Sequence, residues 1–335
     1  MKTIQLLLLA LLVITLPARA DVEVRVSVKF IKNFDGSRPV NVNNIDLSTS
    51  TAFAAEITYG NTVLAATGRG YKLRVVEYLD IQPPAPAGQA ADYWYTLPAR
   101  SNRSTFEAAA QADMATWRWN NNGALNIYVN NSSSGSCSFI GSGVSISMGS
   151  TIFTQGTIVH EIGHFFNLSH THTADSDCSA GPYSVADGDG LAETIPDQNC
   201  LTRDQLSMAN FGGRAYAALT AAEQAAVDTS WLNVMSYHQE ERFLDIQMDY
   251  WATAANGQRS TVCSGRTWFT STAGSDIFRD GLSPGQAFRT VGWSLAHVTA
   301  PDDVVLLRSG AYTAPATITT ACTLCADRGA VTLTR

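Results

Sequence analysis

The chain has 335 residues, 45% of them apolar and 15% charged, with a formal net charge of −7. That apolar share suffices for one large domain or two smaller ones, and the composition excludes a disordered or highly charged chain. The acidic balance argues against nucleic acid as a main partner.

The first twenty residues predict a signal peptide. Lys2 supplies a positive start, Leu6 to Ile14 is an unbroken apolar run, and Pro17 precedes Ala18-Arg19-Ala20, a small-x-small cleavage site. The run is too short for about 30 Å of hydrocarbon, and nothing later is longer, so no membrane partner is expected. Cleavage near Ala20 removes Lys2 and Arg19, leaves a more acidic mature chain, and predicts a secreted or periplasmic protein. The six cysteines are Cys137, Cys178, Cys200, Cys263, Cys322 and Cys325. They can form disulfides there, with fifteen connectivities open.

Val22 to Phe30 alternates strictly between apolar and polar residues, which predicts a half-buried strand. It starts at the cleavage site, so no inhibitory propeptide is expected before it. Tyr71 to Ile81 is a second strand, followed by a loop with Pro83, Pro84 and Pro86. Ser104, with Glu107 three residues on, has capping-box spacing and predicts a helix to Trp119. Leu125 to Val129 and Val144 to Met148 are strands. Thr154 to Phe166 is a helix, as is Thr220 to Trp231, with Thr220 and Glu223 as a second capping box. Thr253 to Ser264 turns polar and small, like a linker, and Thr267 onward is β-rich. The expected organisation is a signal peptide over 1–20, a main domain over 21–262 and a β-rich module over 263–335.

The segment His160-Glu161-Ile162-Gly163-His164-Phe165-Phe166-Asn167-Leu168-Ser169-His170 carries the chemistry. Residues four apart share a helix face, so His160 and His164 can aim two imidazoles at one ion. Glu161 lies about 100° around the helix, beside the metal as a general base must be. His170 can be a third ligand only if the helix ends and the chain turns back. Asn167 sits at that turn and tolerates a left-handed backbone better than most residues. Three histidines leave a position open for water, as in catalytic zinc sites; structural sites usually take four protein ligands.

These residues resemble the metzincin zinc signature, with Asn167 in place of its usual glycine. The stretch ending Leu168-Ser169-His170-Thr171-His172 looks most like the pappalysin family. Asp189-Gly190-Leu191-Ala192-Glu193-Thr194-Ile195-Pro196 resembles that family's Asp-x-Val-x-Asp-Thr-Pro loop, with Glu193 replacing aspartate. Asn233-Val234-Met235-Ser236-Tyr237 resembles the Met-turn, and Phe243 to Gln247 the segment after it. The specific motifs cover about residues 153 to 250. The resemblance implies an α+β fold: a two-part metzincin-type domain with a twisted mixed sheet, helices, a zinc helix and a Met-turn. Its edge strand would pair with an extended substrate, a role for which Val144 to Met148 is in place. It further implies Met235 as an apolar floor under the imidazoles. Tyr237 would be a fifth ligand or a donor to the tetrahedral intermediate, with a core tyrosine as the alternative.

Other residues are less specific. Asp187-Gly188-Asp189-Gly190 offers oxygen ligands to Ca²⁺, which some pappalysin relatives bind, or is a solvated turn. His172 and His238 read as cleft-wall or surface residues. Cys178 and Cys200 bracket the loop after the third ligand and are expected to pair. Cys322-x-x-Cys325 reads as a local disulfide or an inert pair. The tail pieces Ala273-Gly274-Ser275-Asp276, Phe288-Arg289-Thr290-Val291 and Asp303 to Tyr312 resemble the opening of a right-handed parallel β-helix. This module carries none of the zinc motifs and is expected to be dispensable for catalysis.

The leading expectation is a secreted zinc endopeptidase acting on protein or peptide substrates, with the oligomeric state left open. The alternative is a secreted binding or adhesion protein with an inactive zinc domain and a glycan-binding β-helix segment. The intact Glu161 speaks against it. A carbohydrate lyase is a third reading, suggested only by the tail, where one partial coil offers no groove.

Overall fold

Val22–Ile31 forms strand β1 in a computed structural model of the chain. The described residues are 21–40, 51–120, 123–133, 136–138, 143–150, 155–172, 185–239, 241–313, 315 and 317–334. The expected signal peptide and Cys178 lie outside them. Strand β1 is central: it runs parallel to β2 (Tyr71–Ile81) on one side and to β3 (Leu125–Asn130) on the other. Alternation predicted a strand with one wet face, and this is corrected. Beyond Val26 both faces are buried, including Ser27 and Lys29. The face carrying Val24, Val26 and Val28 packs under helices α1 (Thr51–Ala66) and α4 (Thr157–Phe165). The face carrying Ile31 packs with Tyr128 under α2 (Tyr93–Thr96) and α3 (Arg103–Ala112), through Trp94, Phe106 and Ala110. Helix α1 was not foreseen; its β-branched residues and Gly60 mask the helical period.

The sheet continues through β5 (Ser145–Gly149), parallel to β3, and ends at β4 (Ser136–Cys137), antiparallel to β5. This corrects the expected edge: Val144 to Met148 is an inner strand, because the short strand before it folds back and takes the outer place. Helix α3 also departs from expectation. It starts at Arg103, so Ser104 is already inside it and the N-cap Asn102 makes no side-chain cap bond. Glu107 instead accepts hydrogen bonds from the Val144 N–H (3.1 Å) and the Ser145 hydroxyl (2.9 Å), tying the helix to β5.

Beyond α4 the chain builds α5 (Arg203–Asn210), α6 (Ala221–Trp231) and α7 (Asp245–Asn256). The Thr220–Glu223 capping box is present at α6, and Thr202–Gln205 forms a second one at α5.

From Thr267 on, β6 (Thr267–Thr270), β7 (Val304–Thr313) and β8 (Thr323–Thr334) form a parallel sheet with α8 (Val291–His297) beside it. Phe269, Val304, Leu306 and Cys325 belong to the same apolar core as Val22, Val24 and Trp251. The Ser264 N–H donates to the Glu23 carbonyl at 2.9 Å, and the Tyr71 and Thr267 hydroxyls meet at 2.6 Å. A buried ion cluster crosses the same seam: Arg69 pairs with Asp249 (3.0 Å) and Asp327 (2.9 Å), and Arg308 with Asp249 (2.8 Å) and Asp327 (3.1 Å). The architecture is mixed α+β. No described helix is long and apolar enough to cross a membrane.

Candidate metal centre

Helix α4 sends Ile158, Val159, Ile162 and Phe165 into the core and carries His160 and His164 one turn apart, both buried. The helix stops at a left-handed residue, as the sequence required: Asn167 has φ 70°. The Asn167 N–H donates to the His164 carbonyl (2.9 Å) and the Leu168 N–H to the Gly163 carbonyl (3.0 Å), a Schellman end. The chain is thereby turned back, and His170 arrives over the helix.

The three imidazoles converge. His170 Nε2 lies 3.2 Å from His160 Nε2 and 2.8 Å from His164 Nε2. Zinc–nitrogen bonds of about 2.0–2.1 Å in a tetrahedral set place nitrogens about 3.3 Å apart, close to these separations. His160 Nδ1 is 2.6 Å from the Val234 carbonyl and His164 Nδ1 is 2.7 Å from the Leu168 carbonyl. A carbonyl only accepts, so both rings carry their proton on Nδ1 and present a bare Nε2. Burial holds all three rings below the usual imidazole range, His164 at about 4, and repulsion from neighbouring imidazoles, His172 among them, adds to the shift. Three neutral rings aiming lone pairs at one point fit a divalent cation, and among the described residues this trio is a group of three His, Cys, Asp or Glu side chains close enough to share one.

Glu161 is buried beside the trio. Its carboxyl accepts a hydrogen bond from the Ser138 N–H, just past β4, and its Oε2 has no partner. Burial pushes the carboxyl up to about 8. Met235 is fully buried, with its sulfur facing Gly163 of the helix. Tyr237 is 39% exposed; its ring centroid lies 5.4 Å from that of His160 and 4.8 Å from that of His170. All six residues singled out from the sequence (His160, Glu161, His164, His170, Met235 and Tyr237) therefore meet in one place.

The supporting roles of several residues were not read from the sequence, although most of them lie in segments singled out there. Asn233 and Gln247 exchange amide hydrogen bonds of 3.1 Å, and the Asn233 Oδ1 also accepts the Met235 N–H at 2.8 Å, which pins the turn under the helix. The segment that carries His170 is held from both sides. The Thr171 N–H donates to the Met235 carbonyl (3.1 Å) and the Thr171 carbonyl accepts from the Gly188 N–H (3.1 Å). A Cβ on Gly188 would lie 2.2 Å from the His172 carbonyl oxygen, so only glycine fits there. Asp197 is buried and accepts hydrogen bonds from Thr171 Oγ1 (2.8 Å) and His238 Nε2 (3.0 Å). Burial opposes its ionisation, yet these partners hold its carboxyl below the usual range. His238 is thus no surface residue: its side chain is 3% exposed and stacked on Trp231. His172 stacks on His170 at 4.7 Å and stands outside the converging trio.

The Asp187–Gly190 turn is closed by the Asp187 side chain. Asp187 Oδ1 accepts from the N–H groups of Asp189 (3.1 Å) and Gly190 (2.8 Å). Cys200 is disulfide-bonded. Cys263 and Cys322 carry no disulfide, so Cys322 and Cys325 do not form the expected local bridge.

No known family matches the chain, and no curated protein does. Among solved structures it is similar to part of a chaperone–substrate complex, with 13% identity over 65% of this chain and 36% of that one, TM-score 0.31. It is also similar to metalloproteinase-II from Bacteroides fragilis, with 17% identity over 48% of this chain and 47% of that one, TM-score 0.29. The chain spans less than half the length of either.

Proposed function

We propose that the chain is a zinc-dependent endopeptidase of the metzincin, pappalysin-like kind, acting on proteins or peptides outside the cytoplasm after loss of residues 1–20. The observation that carries this reading is the meeting of three bare Nε2 atoms with an unpartnered, buried Glu161 Oε2. When bound, zinc supplies Lewis acidity, polarising a peptide carbonyl and acidifying water. His160, His164 and His170 hold it. Glu161 takes a proton from the attacking water and delivers it to the leaving amine. Tyr237, at the lip, donates from its hydroxyl to the oxyanion that forms. Met235 keeps the floor apolar. The outer edge of β4, one residue from the Ser138 N–H on Glu161, aligns an extended substrate by strand addition.

Two finer readings belong to the same proposal. The β6–β7–β8 sheet is the opening of a parallel β-helix. Ca²⁺ binds near Asp189, whose Oδ2 is a buried, unpartnered oxygen lining a cavity of about 170 Å³ with Asn167; terbium luminescence abolished in Asp189→Ala tests that. For the main reading, purified protein is assayed for zinc and for cleavage of a peptide library, with and without chelator. One zinc per chain and chelator-sensitive cleavage are expected. Absence of both in the wild type, after zinc is supplied, would refute it.

A further inference from the structure

A helix leaves N–H groups unpaired at its start and carbonyls unpaired at its end. On α4 the carbonyls can be followed one by one. Ile162 accepts from the Phe166 N–H (3.0 Å), Gly163 from Leu168 (3.0 Å) and His164 from Asn167 (2.9 Å). Phe165 accepts from a residue far along the chain, Arg259, whose Nε donates at 2.8 Å. The same guanidinium donates through Nη1 to the Gly143 carbonyl (2.7 Å), just ahead of β5, and lies over the Phe165 ring at 4.0 Å. At the other end the N-cap is Gly156, which has no side chain to offer. Glu56, on α1 and 100 residues earlier, takes that part: its Oε2 accepts the Gly156 N–H at 2.9 Å, and its carboxyl also accepts from the Ile158 N–H. Glu56 is 7% exposed and Arg259 5%. The acceptor stands at the start and the cation at the end, the arrangement that complements the helix dipole.

Close packing makes this possible. A Cβ on Gly60 of α1 would lie 3.3 Å from the Val159 Cβ of α4, so the two helices touch at backbone distance. Glu56 stands one helical turn before Gly60 and reaches the start of α4 from there.

We propose that Glu56 and Arg259 are positioning residues of the metal centre, clamping the two ends of α4 so that His160 and His164 meet His170 at ligand distance. The proposal rests on the zinc reading above. Helix α4 is short, nine residues, with both ligands on it. A shift along its axis moves both Nε2 atoms relative to His170, which lies beyond the turn at Asn167 on a segment held by the Thr171 hydrogen bonds to Met235 and Gly188. The clamp therefore acts on ligand geometry as well as on stability. Neither residue touches the ion or a substrate.

The test uses the full chain carrying Glu56→Asp, Glu56→Gln, Glu56→Ala and Arg259→Lys, with folding checked by circular dichroism and thermal melts. Zinc affinity is measured by chelator competition, and the cobalt-substituted protein by its visible spectrum. Outer partners of metal ligands typically matter 10–100-fold in affinity. Glu56→Ala, and Glu56→Asp with its shorter reach, are expected to weaken zinc about tenfold or more and to shift the cobalt bands. Glu56→Gln, whose amide oxygen accepts the same N–H groups, is expected to restore most of the affinity. Arg259→Lys, with one compact donor group in place of the fork, is expected to fall between. Should Glu56→Ala fail to fold, Glu56→Asp and Arg259→Lys still decide. Folded Glu56→Asp and Arg259→Lys proteins with wild-type zinc affinity and cobalt spectra would overturn the clamp while leaving the peptidase reading intact. A wild type that takes up no zinc would overturn both.

Discussion

The sulfur of Met235 lies so close to Gly163 that a Cβ on that glycine would stand 2.5 Å from it. The glycine between the two ligand histidines is thus the seat of the turn beneath the helix. Gly163→Ala forces Met235 and the adjoining Val234 carbonyl, which holds His160, to move. The expected cost is about 1–3 kcal/mol of stability, as for other overpacked cores, together with weaker zinc binding. Urea unfolding and chelator competition measure both; an unperturbed variant would show that the turn yields freely.

Glu161→Ala removes a proton acceptor and no ligand. The variant is expected to keep one zinc and a wild-type melt while peptide cleavage falls by at least about 10²-fold. Cleavage at a near wild-type rate would refute the assigned role.

Lys29 reports on pH. Its ammonium is buried in the sheet against Ser27 Oγ and Asn126 Oδ1, and burial pulls its pKa from near 10.5 down to about 7. Below pH 7 folded and unfolded chains both hold the proton. Between about 7 and 10.5 the unfolded chain holds a proton the folded one has shed, so stability rises with pH. The rise is at most about 1.4 kcal/mol per unit. Lys29→Met is expected to lose that slope. Urea titrations at several pH values give the comparison, and an identical slope in both proteins counts against it.

Asp327 is 1% exposed at the side chain and paired with Arg69 across the seam and with Arg308 on the adjacent strand. Asp327→Ala leaves buried guanidinium charge short of a partner and is expected to cost about 3 kcal/mol. Removing everything from 263 onward strips Phe269, Val304 and Leu306 from the core they share with Val24 and Trp251. The sequence alone led us to expect a dispensable tail; with the seam described, we expect the truncated chain to lose cooperative unfolding. A shortened protein that melts sharply and cleaves peptides would show that the tail is separable.

Cys200 is expected to pair with Cys178, closing a loop of about 20 residues worth about 3 kcal/mol in the chain-entropy model. Peptide mapping that links either cysteine elsewhere would dispose of this pairing.

The candidate metal site was legible because its logic is short-range. Four-residue spacing places His160 and His164 on one helical face. The need to reverse direction before His170 asks for a left-handed residue, and Asn167 adopts one with φ 70°. The capping box at Thr220 and the strand at Tyr71–Ile81 were readable for the same reason: both are written within a dozen residues.

Contacts between distant segments left no such trace. Nothing in the alternation of β1 says that Glu77, Asn126 and Tyr128 close over Ser27 and Lys29. Nothing near Ser104 says that Glu107 serves β5 in place of its own helix end. Asp197 beneath Thr171, Gln247 against Asn233, and Glu56 and Arg259 at the ends of α4 find their partners only after the chain has packed. A hydrogen bond from a residue a hundred positions away has no period or spacing to betray it. Local geometry wrote the ligands into the chain, while the fixing of those ligands in space came from burial, which brings together whichever polar groups the closed core leaves facing each other.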